Sequence, residues 1–329
     1  MKIIAIEEHL ITEEIVAAWK KLKGVQDLSI KMTMGNDWEK RLLYTGEERI
    51  MAMDEAGIDV LVLSVTTPGV QGLMPDQAVE LARGANDVIA QTIRQHPDRF
   101  QGFATLPTGA PDDAVRELKR AVRELGLNGA MLFGRTEDRH LDHPEFFSIL
   151  EAAAEMHAPI YVHPQTPPVV VREAYYQGLG PDAEIFLAAG GFGWHYEAGL
   201  QVLRLIVSGV FEKLPDLQII LGHWGEVVLF YLDRIDAVSA NLKLPRPISD
   251  YFRTNISITP GGIFSQRYLK WTIDVLGGVD RILFASDHPF NLSKHGSARR
   301  FLDEADLSIA DKEKIAFGNW EKMWANIRR

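Results

Sequence analysis

Eight short, apolar segments rich in β-branched residues recur along the chain, separated by stretches with helical periodicity. The segments are Ile3–Ile6, Val60–Val65, Gly102–Leu106, Gly129–Phe133, Pro159–Val162, Gln218–Leu221, Asn255–Ile258 and Ile282–Ala285. The clearest helical patterns between them cover Asp76–His96, Ala114–Leu125, Pro144–His157 and Glu197–Val210. This alternation predicts a (β/α)8 TIM barrel that forms one domain over residues 1–329. A doubly wound dinucleotide-binding sheet has no support, because no G-x-G-x-x-G motif follows a strand.

Two long stretches interrupt the plain repeat. Ile11–Arg49 separates the first two strands, and Pro164–Gly193 follows the fifth strand directly. Loops that leave the C-terminal ends of barrel strands usually build the active site. We therefore expect these insertions, after strands 1 and 5, to wall a pocket.

Composition excludes several classes of function. The chain has 35 basic against 45 acidic residues, a formal charge of −10, which argues against nucleic-acid binding. It contains no cysteine, so disulfides, iron–sulfur clusters and thiol nucleophiles are excluded. No apolar run approaches the roughly 18 residues that span a membrane. Glu7 and Glu8 come too early for a signal peptide, so we expect a cytoplasmic protein.

Acidic and histidine side chains stand at the ends of several predicted strands: Glu7, His9, His163, His223 and Asp287. Strand ends at the same rim of a closed barrel converge on one mouth. In extended backbone Glu7 and His9 share a face, whereas Glu8 points away, toward a basic or backbone partner. Strands one, five and eight thus supply two imidazoles and two carboxylates. This set indicates a cation site, because crowded buried charges are costly without a cation.

Six motifs spread over nearly the whole chain carry a family resemblance. They are Ile6-Glu7-Glu8-His9, Phe103-Ala104-Thr105-Leu106-Pro107, Tyr161-Val162-His163-Pro164, Leu221-Gly222-His223-Trp224-Gly225-Glu226, Arg234-Ile235-Asp236 and Arg281-Ile282-Leu283-Phe284-Ala285-Ser286-Asp287. In these motifs the sequence resembles the amidohydrolase superfamily, in its aminocarboxymuconate-semialdehyde decarboxylase-like branch. The likeness is greatest to the γ-resorcylate (2,6-dihydroxybenzoate) decarboxylase group.

The resemblance implies one divalent metal ion per chain, held by Glu7, His9, His163 and Asp287. Strand four ends at Phe133-Gly134-Arg135, without the lysine that binuclear relatives use, so a single ion is expected. A glutamate in place of the first histidine of a His-x-His pair makes the ligand set richer in oxygen. This favours Mn²⁺, with Zn²⁺ possible.

The resemblance also implies how a small aromatic carboxylate would be bound. His223 would lie beside the substrate as an acid–base or charge-stabilising group, oriented by Glu226. Arg234 matches an arginine that reaches the substrate of a neighbouring subunit, which implies a homodimer or homotetramer; a surface salt bridge is the alternative. Trp224 and Phe290 are candidates for the wall of a ring pocket.

The reaction implied is the non-oxidative decarboxylation of a hydroxybenzoate-type acid. Asp287 would protonate the ring carbon that bears the carboxylate, after which CO₂ leaves without an organic cofactor. His288 stands where the family usually has an aromatic residue, and either adds a donor to the substrate pocket or turns outward. Two alternatives stay open: a mononuclear metal-dependent hydrolase of a lactone, amide or ester, and a catalytically inactive binding barrel.

Overall fold

Parallel strands surround a common interior in the computed structural model, which describes residues 1–23, 27–291 and 296–329. Residues 24–26, inside the insertion predicted after the first strand, lie outside the described part. The strands of the barrel are β1 (Ile4–Leu10), β2 (Val60–Val65), β3 (Phe100–Gly102), β4 (Ala130–Leu132), β5 (Ile160–Val162), β6 (Ile219–Leu221) and β7 (Ile256–Ile258).

An eighth segment, residues 282–288, closes the ring through single contacts rather than a continuous ladder. One parallel sheet has the order β1-β2-β3, and the other has the order β4-β5-β6-β7. Three isolated bridges complete the ring. Ala104–Ala130 connects the two sheets, Ile258–Ile282 connects β7 to the eighth segment, and Glu8–His288 connects that segment to β1. The side chain of Glu8 reinforces the last junction by accepting hydrogen bonds from the backbone nitrogen and hydroxyl of Ser286, at 2.8 and 2.6 Å. The predicted (β/α)8 barrel is confirmed.

Helices surround the strands and fill the two insertions. The longer α-helices are Glu47–Ala56, Pro75–Gln95, Pro111–Arg123, Phe147–Glu155, Gly193–Val207, Leu232–Ser239, Ile248–Thr254, Gln266–Leu276, Ser297–Asp303 and Asn319–Ala325, and shorter ones are Val210–Lys213 and Ile309–Glu313. His223–Glu226 forms a tight turn with left-handed backbone. The insertion after β1 contains Glu13–Trp19, Leu28–Thr33 and Asp37–Leu43, and the insertion after β5 contains Val169–Tyr175 and Pro181–Ala188. A short antiparallel hairpin after β4 pairs Arg135–Thr136 with Arg139–His140.

A one-residue bulge in β1 aims two polar side chains at the mouth of the barrel. From Ala5 to Glu8 the first strand advances three residues while β2 advances two. Ile6 packs in the barrel interior, and the extra residue lets Glu7 and His9 face the site described below. Bulges commonly re-aim side chains next to active sites. The prediction that this pair follows the first strand is wrong, because β1 continues to Leu10.

Two other predicted boundaries are wrong for local reasons. The third strand was expected at Gly102–Leu106 but covers Phe100–Gly102, because only these residues pair with β2. The helix expected at Glu197–Val210 ends at Val207. Gly209 then takes a left-handed φ of 75°, which glycine adopts without a steric penalty and which ends the helix.

The part of the chain that the structure describes contains no helix long and apolar enough to cross a membrane. The expectation of one domain over residues 1–329 stays a prediction.

Beyond β3, a side chain takes the place of a neighbouring strand. The buried amide of Asn86 accepts a hydrogen bond from the backbone nitrogen of Thr105 at 2.8 Å and donates to the Thr105 carbonyl at 3.0 Å. It also donates to Glu117 at 2.7 Å. Helix Pro75–Gln95 therefore supplies the ladder bonds that this part of the barrel lacks.

We expect Asn86→Ala to lower the free energy of unfolding by about 2–3 kcal/mol, because it leaves a buried backbone N–H and C=O unpaired. Urea unfolding followed by circular dichroism measures the change. Gln95→Ala, at an exposed position of the same helix, is the control and should be near neutral. A variant at position 86 as stable as this control would contradict the prediction.

Candidate metal centre

Four polar side chains from three barrel segments meet at the mouth. Glu7 and His9 lie on β1, His163 directly follows β5, and Asp287 belongs to the segment that closes the ring. One ligand atom from each lies within 4.8 Å of the others, and all four residues are buried. The structure thus brings together the four residues singled out as candidate metal ligands in the sequence.

Two atoms of this group are buried and have no hydrogen-bond partner among the described residues: Glu7 Oε1 and His9 Nε2. The first lies 3.4 Å from His163 Nε2, and the second lies 3.3 Å from Asp287 Oδ1. Unpaired polar atoms in a protein interior are rare and costly, so each one calls for a partner. Oxygen and imidazole-nitrogen donors around one point fit a single divalent cation.

Surrounding groups fix the orientation of the ligand candidates. The Tyr161 hydroxyl donates to Glu7 Oε2, which leaves the other oxygen facing the centre. His163 Nδ1 lies 2.8 Å from the Pro164 carbonyl, so its Nε2 is turned toward Glu7. Asn291 donates to Asp287 Oδ2 at 2.8 Å. Such outer hydrogen bonds preset ligand direction in metal sites.

Burial shifts the pKa values of Glu7 and His163 toward their neutral forms, whereas Asp287 shifts the other way. Burial raises the pKa of Glu7 and lowers the pKa of His163 well below its ordinary value, so the imidazole is held neutral, as metal binding requires. Burial alone would raise the pKa of Asp287, but the imidazoles of His223 and His9 outweigh it and lower that pKa below its usual range. Asp287 is therefore ionised.

His223 lies just outside the four-residue group. Its Nε2 is 3.7 Å from Glu7 Oε1 and 3.9 Å from Asp287 Oδ2, while its Nδ1 lies 2.7 Å from Glu226 Oε1. Burial alone would lower the pKa of His223, but the Glu226 and Glu7 carboxylates outweigh it and raise that pKa well above its ordinary value. Burial likewise acts to raise the pKa of Glu226, yet its imidazole neighbours lower it to about 2.

The turn that carries His223 and Glu226 has an unusual backbone. His223, Trp224, Glu226 and Val227 have φ values of 44°, 58°, 51° and 72°, in the left-handed region that disfavours residues with a Cβ. Each costs of order 1 kcal/mol or more, and such residues cluster at functional sites. Gly261 makes room for this turn, since a Cβ there would lie 2.6 Å from His223 Cδ2.

A cavity of about 250 Å³ opens beside the four-residue group. Both insertions contribute to its wall, as expected: Met32 and Trp38 come from the first and Gly190 from the second. Its described lining comprises Ser29, Met32, Thr33, Trp38, Thr67, His163, Gly190, Trp194, His195, His223, Ile263, Asp287, Phe290 and Asn291. Of the predicted pocket aromatics, Phe290 therefore lines the cavity.

The structure does not bring three other sequence candidates to this cavity. Trp224 is not among its lining residues and donates to the Ile263 carbonyl at 2.8 Å. His288 lies outside its lining; burial, with the charges of Arg49 and Arg41, lowers its pKa to about 3. Arg234 is exposed on helix Leu232–Ser239.

Sequence reasoning missed several residues of the site, notably Trp194, His195, Tyr161 and Asn291. Asn291 had a usable signal, because it comes four residues after Asp287. Trp194 and His195 are at the start of helix Gly193–Val207 and not at a strand end, so the rule that located the other residues does not reach them.

The amidohydrolase family profile matches residues 9–325. The chain belongs to the amidohydrolase family. Among the relatives of this amidohydrolase is a γ-resorcylate decarboxylase of Polaromonas sp., 34% identical over 338 residues, which are 98% of this chain and 98% of that protein.

Solved structures of similar amidohydrolases contain manganese. A dihydroxybenzoic acid decarboxylase from Polaromonas sp., with bound manganese and the inhibitor 2-nitroresorcinol, has a TM-score of 0.84 and 34% identity over 98% of this chain and 97% of that chain. A 5-carboxyvanillate decarboxylase from Novosphingobium aromaticivorans, complexed with manganese and 4-hydroxy-3-methoxy-5-nitrobenzoic acid, has a TM-score of 0.90. It is 33% identical over 98% of this chain and 96% of that chain.

We expect this amidohydrolase to hold about one divalent ion per chain, and His163→Leu to lose most of it, because leucine offers no ligand atom. Elemental analysis after dialysis against MnCl₂ and then metal-free buffer measures the content. His96→Leu, far from the mouth in sequence and structure, is the matched control and should keep its ion. Two ions per chain in the wild type, or an unchanged metal content in the His163 variant, would contradict the prediction.

Proposed function

We propose that this amidohydrolase catalyses the metal-dependent, non-oxidative decarboxylation of a hydroxybenzoate-type aromatic acid. One observation carries the proposal: two imidazoles and two carboxylates, with unpaired buried atoms, border a cavity walled by aromatic rings. The full-length similarity to γ-resorcylate decarboxylases supports this choice over other reactions of the fold.

Glu7, His9, His163 and Asp287 would hold the ion, with Mn²⁺ preferred because similar structures contain it and with Zn²⁺ as the alternative. When bound, a divalent ion supplies a Lewis acid for the oxygens of the substrate. None of the described cavity-lining residues is lysine or arginine, so among them the imidazoles, above all His223 with its raised pKa, are the side chains that could offer positive charge to the substrate carboxylate.

The cavity walls would orient the substrate ring. Trp38 and Phe290 contact each other edge to face, with ring centroids 5.5 Å apart, and Phe290 lies 5.7 Å from His9. Trp194 also lines the cavity, with its ring centroid 6.4 Å from that of His163. Aromatic walls bind a planar ring and exclude water from the centre.

Decarboxylation needs one proton for the ring carbon from which CO₂ departs. The proton adds to the ring carbon that bears the carboxylate, and a π electron pair of the ring forms the new carbon–hydrogen bond. The carbon–carbon bond then breaks, CO₂ leaves, and the electron pair of that bond restores the aromatic ring. We assign delivery of this proton to Asp287, which would first be loaded with it from the neighbouring carboxyl group of the substrate. His223, backed by Glu226, stabilises the negative charge that develops on the substrate.

We also propose that the protein binds a second copy of itself to form a homodimer or homotetramer, with Arg234 near the interface between subunits. An exposed aromatic patch, comprising Phe230, Tyr231, Tyr268 and Trp271, lies next to the helix that bears Arg234. Large exposed apolar patches usually mark interaction sites. Phe230, Tyr268 and Trp271 of this patch line a hollow of about 580 Å³, which shares His195 and His223 with the cavity beside the metal centre, so a partner seated there would reach the site. A cytoplasmic location remains our prediction.

Turnover in D₂O tests the reaction class. Across a panel of hydroxybenzoates, we expect CO₂ release from at least one and deuterium on the carbon that lost CO₂. Asp287→Asn should abolish both, because an amide cannot deliver that proton; its metal content is measured in parallel, because an amide is also a poorer ligand. A hydrolase would instead place oxygen from H₂¹⁸O in its product. Finding ¹⁸O incorporation, with every hydroxybenzoate inert, would replace the proposal.

Light scattering tests the partner. We expect the molar mass of a dimer or tetramer at working concentration, and we expect Arg234→Ala to lower turnover by at least about tenfold while the control Arg83→Ala, another exposed arginine, does not. A fully active monomer would refute the assembly together with any role of Arg234 across subunits.

A further inference from the structure

One carboxylate at the mouth is shared between two imidazoles. Glu226 Oε1 lies 2.7 Å from His223 Nδ1, and Glu226 Oε2 lies 2.7 Å from His195 Nδ1. The glutamate side chain is buried, while the side chain of His195 is 16% exposed. The two rings stand 4.7 Å apart at 63°. The carboxylate is therefore held at both oxygens.

Holding both oxygens restricts how Glu226 can turn. A carboxylate bonded only through Oε1 keeps its rotation about the terminal side-chain bond, and its second oxygen would be a buried, unpaired acceptor. With His195 bonded to Oε2, the carboxylate plane is set, and so is the direction in which Oε1 meets His223. The imidazole of His223 thereby keeps Nε2 aimed at Glu7 and Asp287.

His195 is itself fixed from its other side. Its Nε2 lies 3.1 Å from the indole nitrogen of Trp194 and 3.1 Å from the Gly190 carbonyl. Gly190 belongs to the insertion after β5, and Trp194 lines the catalytic cavity. The insertion therefore reaches the imidazole of His223 through a chain of polar contacts, and not only by walling the cavity.

We propose that His195 is a positioning residue, which acts through Glu226 to hold His223 against the metal centre. The expected effect of His195 on turnover rests on the proposed decarboxylation. Its effect on the position of His223 rests only on the contacts described above. His195 does not touch the four ligand candidates in this arrangement, and its effect is transmitted through the carboxylate.

A double-mutant cycle tests whether His195 acts through Glu226. His195→Phe keeps a ring of similar size but cannot bond to the carboxylate, and we expect kcat to fall about 10- to 100-fold with KM changed much less. In a Glu226→Leu background, the same substitution should cost nothing further, because leucine has no atom that can bond to either imidazole and the link is already broken. Equal losses in both backgrounds would overturn the proposal.

Two variants separate positioning from packing. His195→Asn can place its amide nitrogen near the position of Nδ1, and it should recover most of the lost kcat. Tyr196→Phe, an exposed neighbour on the same helix, should match the wild type. His195→Leu fills the space but has no hydrogen-bond donor. If this variant also recovered the lost kcat, the proposal would be overturned. Should His195→Phe not fold, His195→Ala takes its place in the cycle.

A measurement on the metal-free protein does not depend on the reaction. With ¹⁵N-histidine labelling, we expect the ring N–H of His223 to give a slowly exchanging signal in the wild type and in His195→Asn. In His195→Phe that signal should broaden through exchange with water. An unchanged signal in His195→Phe would contradict the proposal. If the wild type decarboxylates no hydroxybenzoate, the proposed function fails while this spectrum still tests the positioning role.

The same three residues, His195, His223 and Glu226, also have the composition of a possible second cation site. The positioning proposal requires them to stay hydrogen-bonded to one another. Elemental analysis of the manganese-loaded wild type and of His195→Phe distinguishes a second cation site from a hydrogen-bonded group. We expect one ion per chain in both proteins. A second ion that disappears with His195→Phe would overturn the proposal.

Discussion

The mutual burial of two carboxylates and two imidazoles at one point is the constraint on which the rest of this structure depends. Glu7 Oε1 and His9 Nε2 are left without hydrogen-bond partners among the described residues, and their neighbours in the site are further charged or ionisable groups. A cation satisfies such a set and lets both carboxylates stay ionised in the interior. The barrel, the bulge and the outer hydrogen bonds serve to keep these groups together.

Around the metal centre, the backbone adopts conformations that are locally unfavourable in free energy. β1 departs from regular pairing to aim Glu7 and His9, and the turn from His223 to Val227 is left-handed although most of its residues carry a Cβ. Glu8 and Ser286 tie the segment before Asp287 to β1, which compensates for the weak pairing at the closure. Strained backbone is typical of functional sites, where the position of a side chain matters more than the stability that regular backbone would give.

The barrel and the four ligand candidates could be predicted from the sequence because both follow from simple periodicities. Apolar runs mark the strands, and strand ends converge. The bulge in β1 could not be predicted, since one extra residue leaves no mark in composition. Asn86 replaces a strand partner through a side chain, and His195 arrives from a helix start after an irregular insertion. Trp224 and His288 follow His223 and Asp287 directly in sequence, yet neither lines the described cavity, because left-handed backbone at His223, Trp224 and Asp287 redirects the chain.

Anomalous diffraction at the manganese absorption edge tests the central claim most directly. Crystals of the protein loaded with MnCl₂ should show one anomalous peak per chain, within bonding distance of Glu7, His9, His163 and Asp287. Glu226 should remain bonded to both His195 and His223 in the same crystals. A mouth without a peak, or a peak among His195, His223 and Glu226 instead, would contradict this account of the centre.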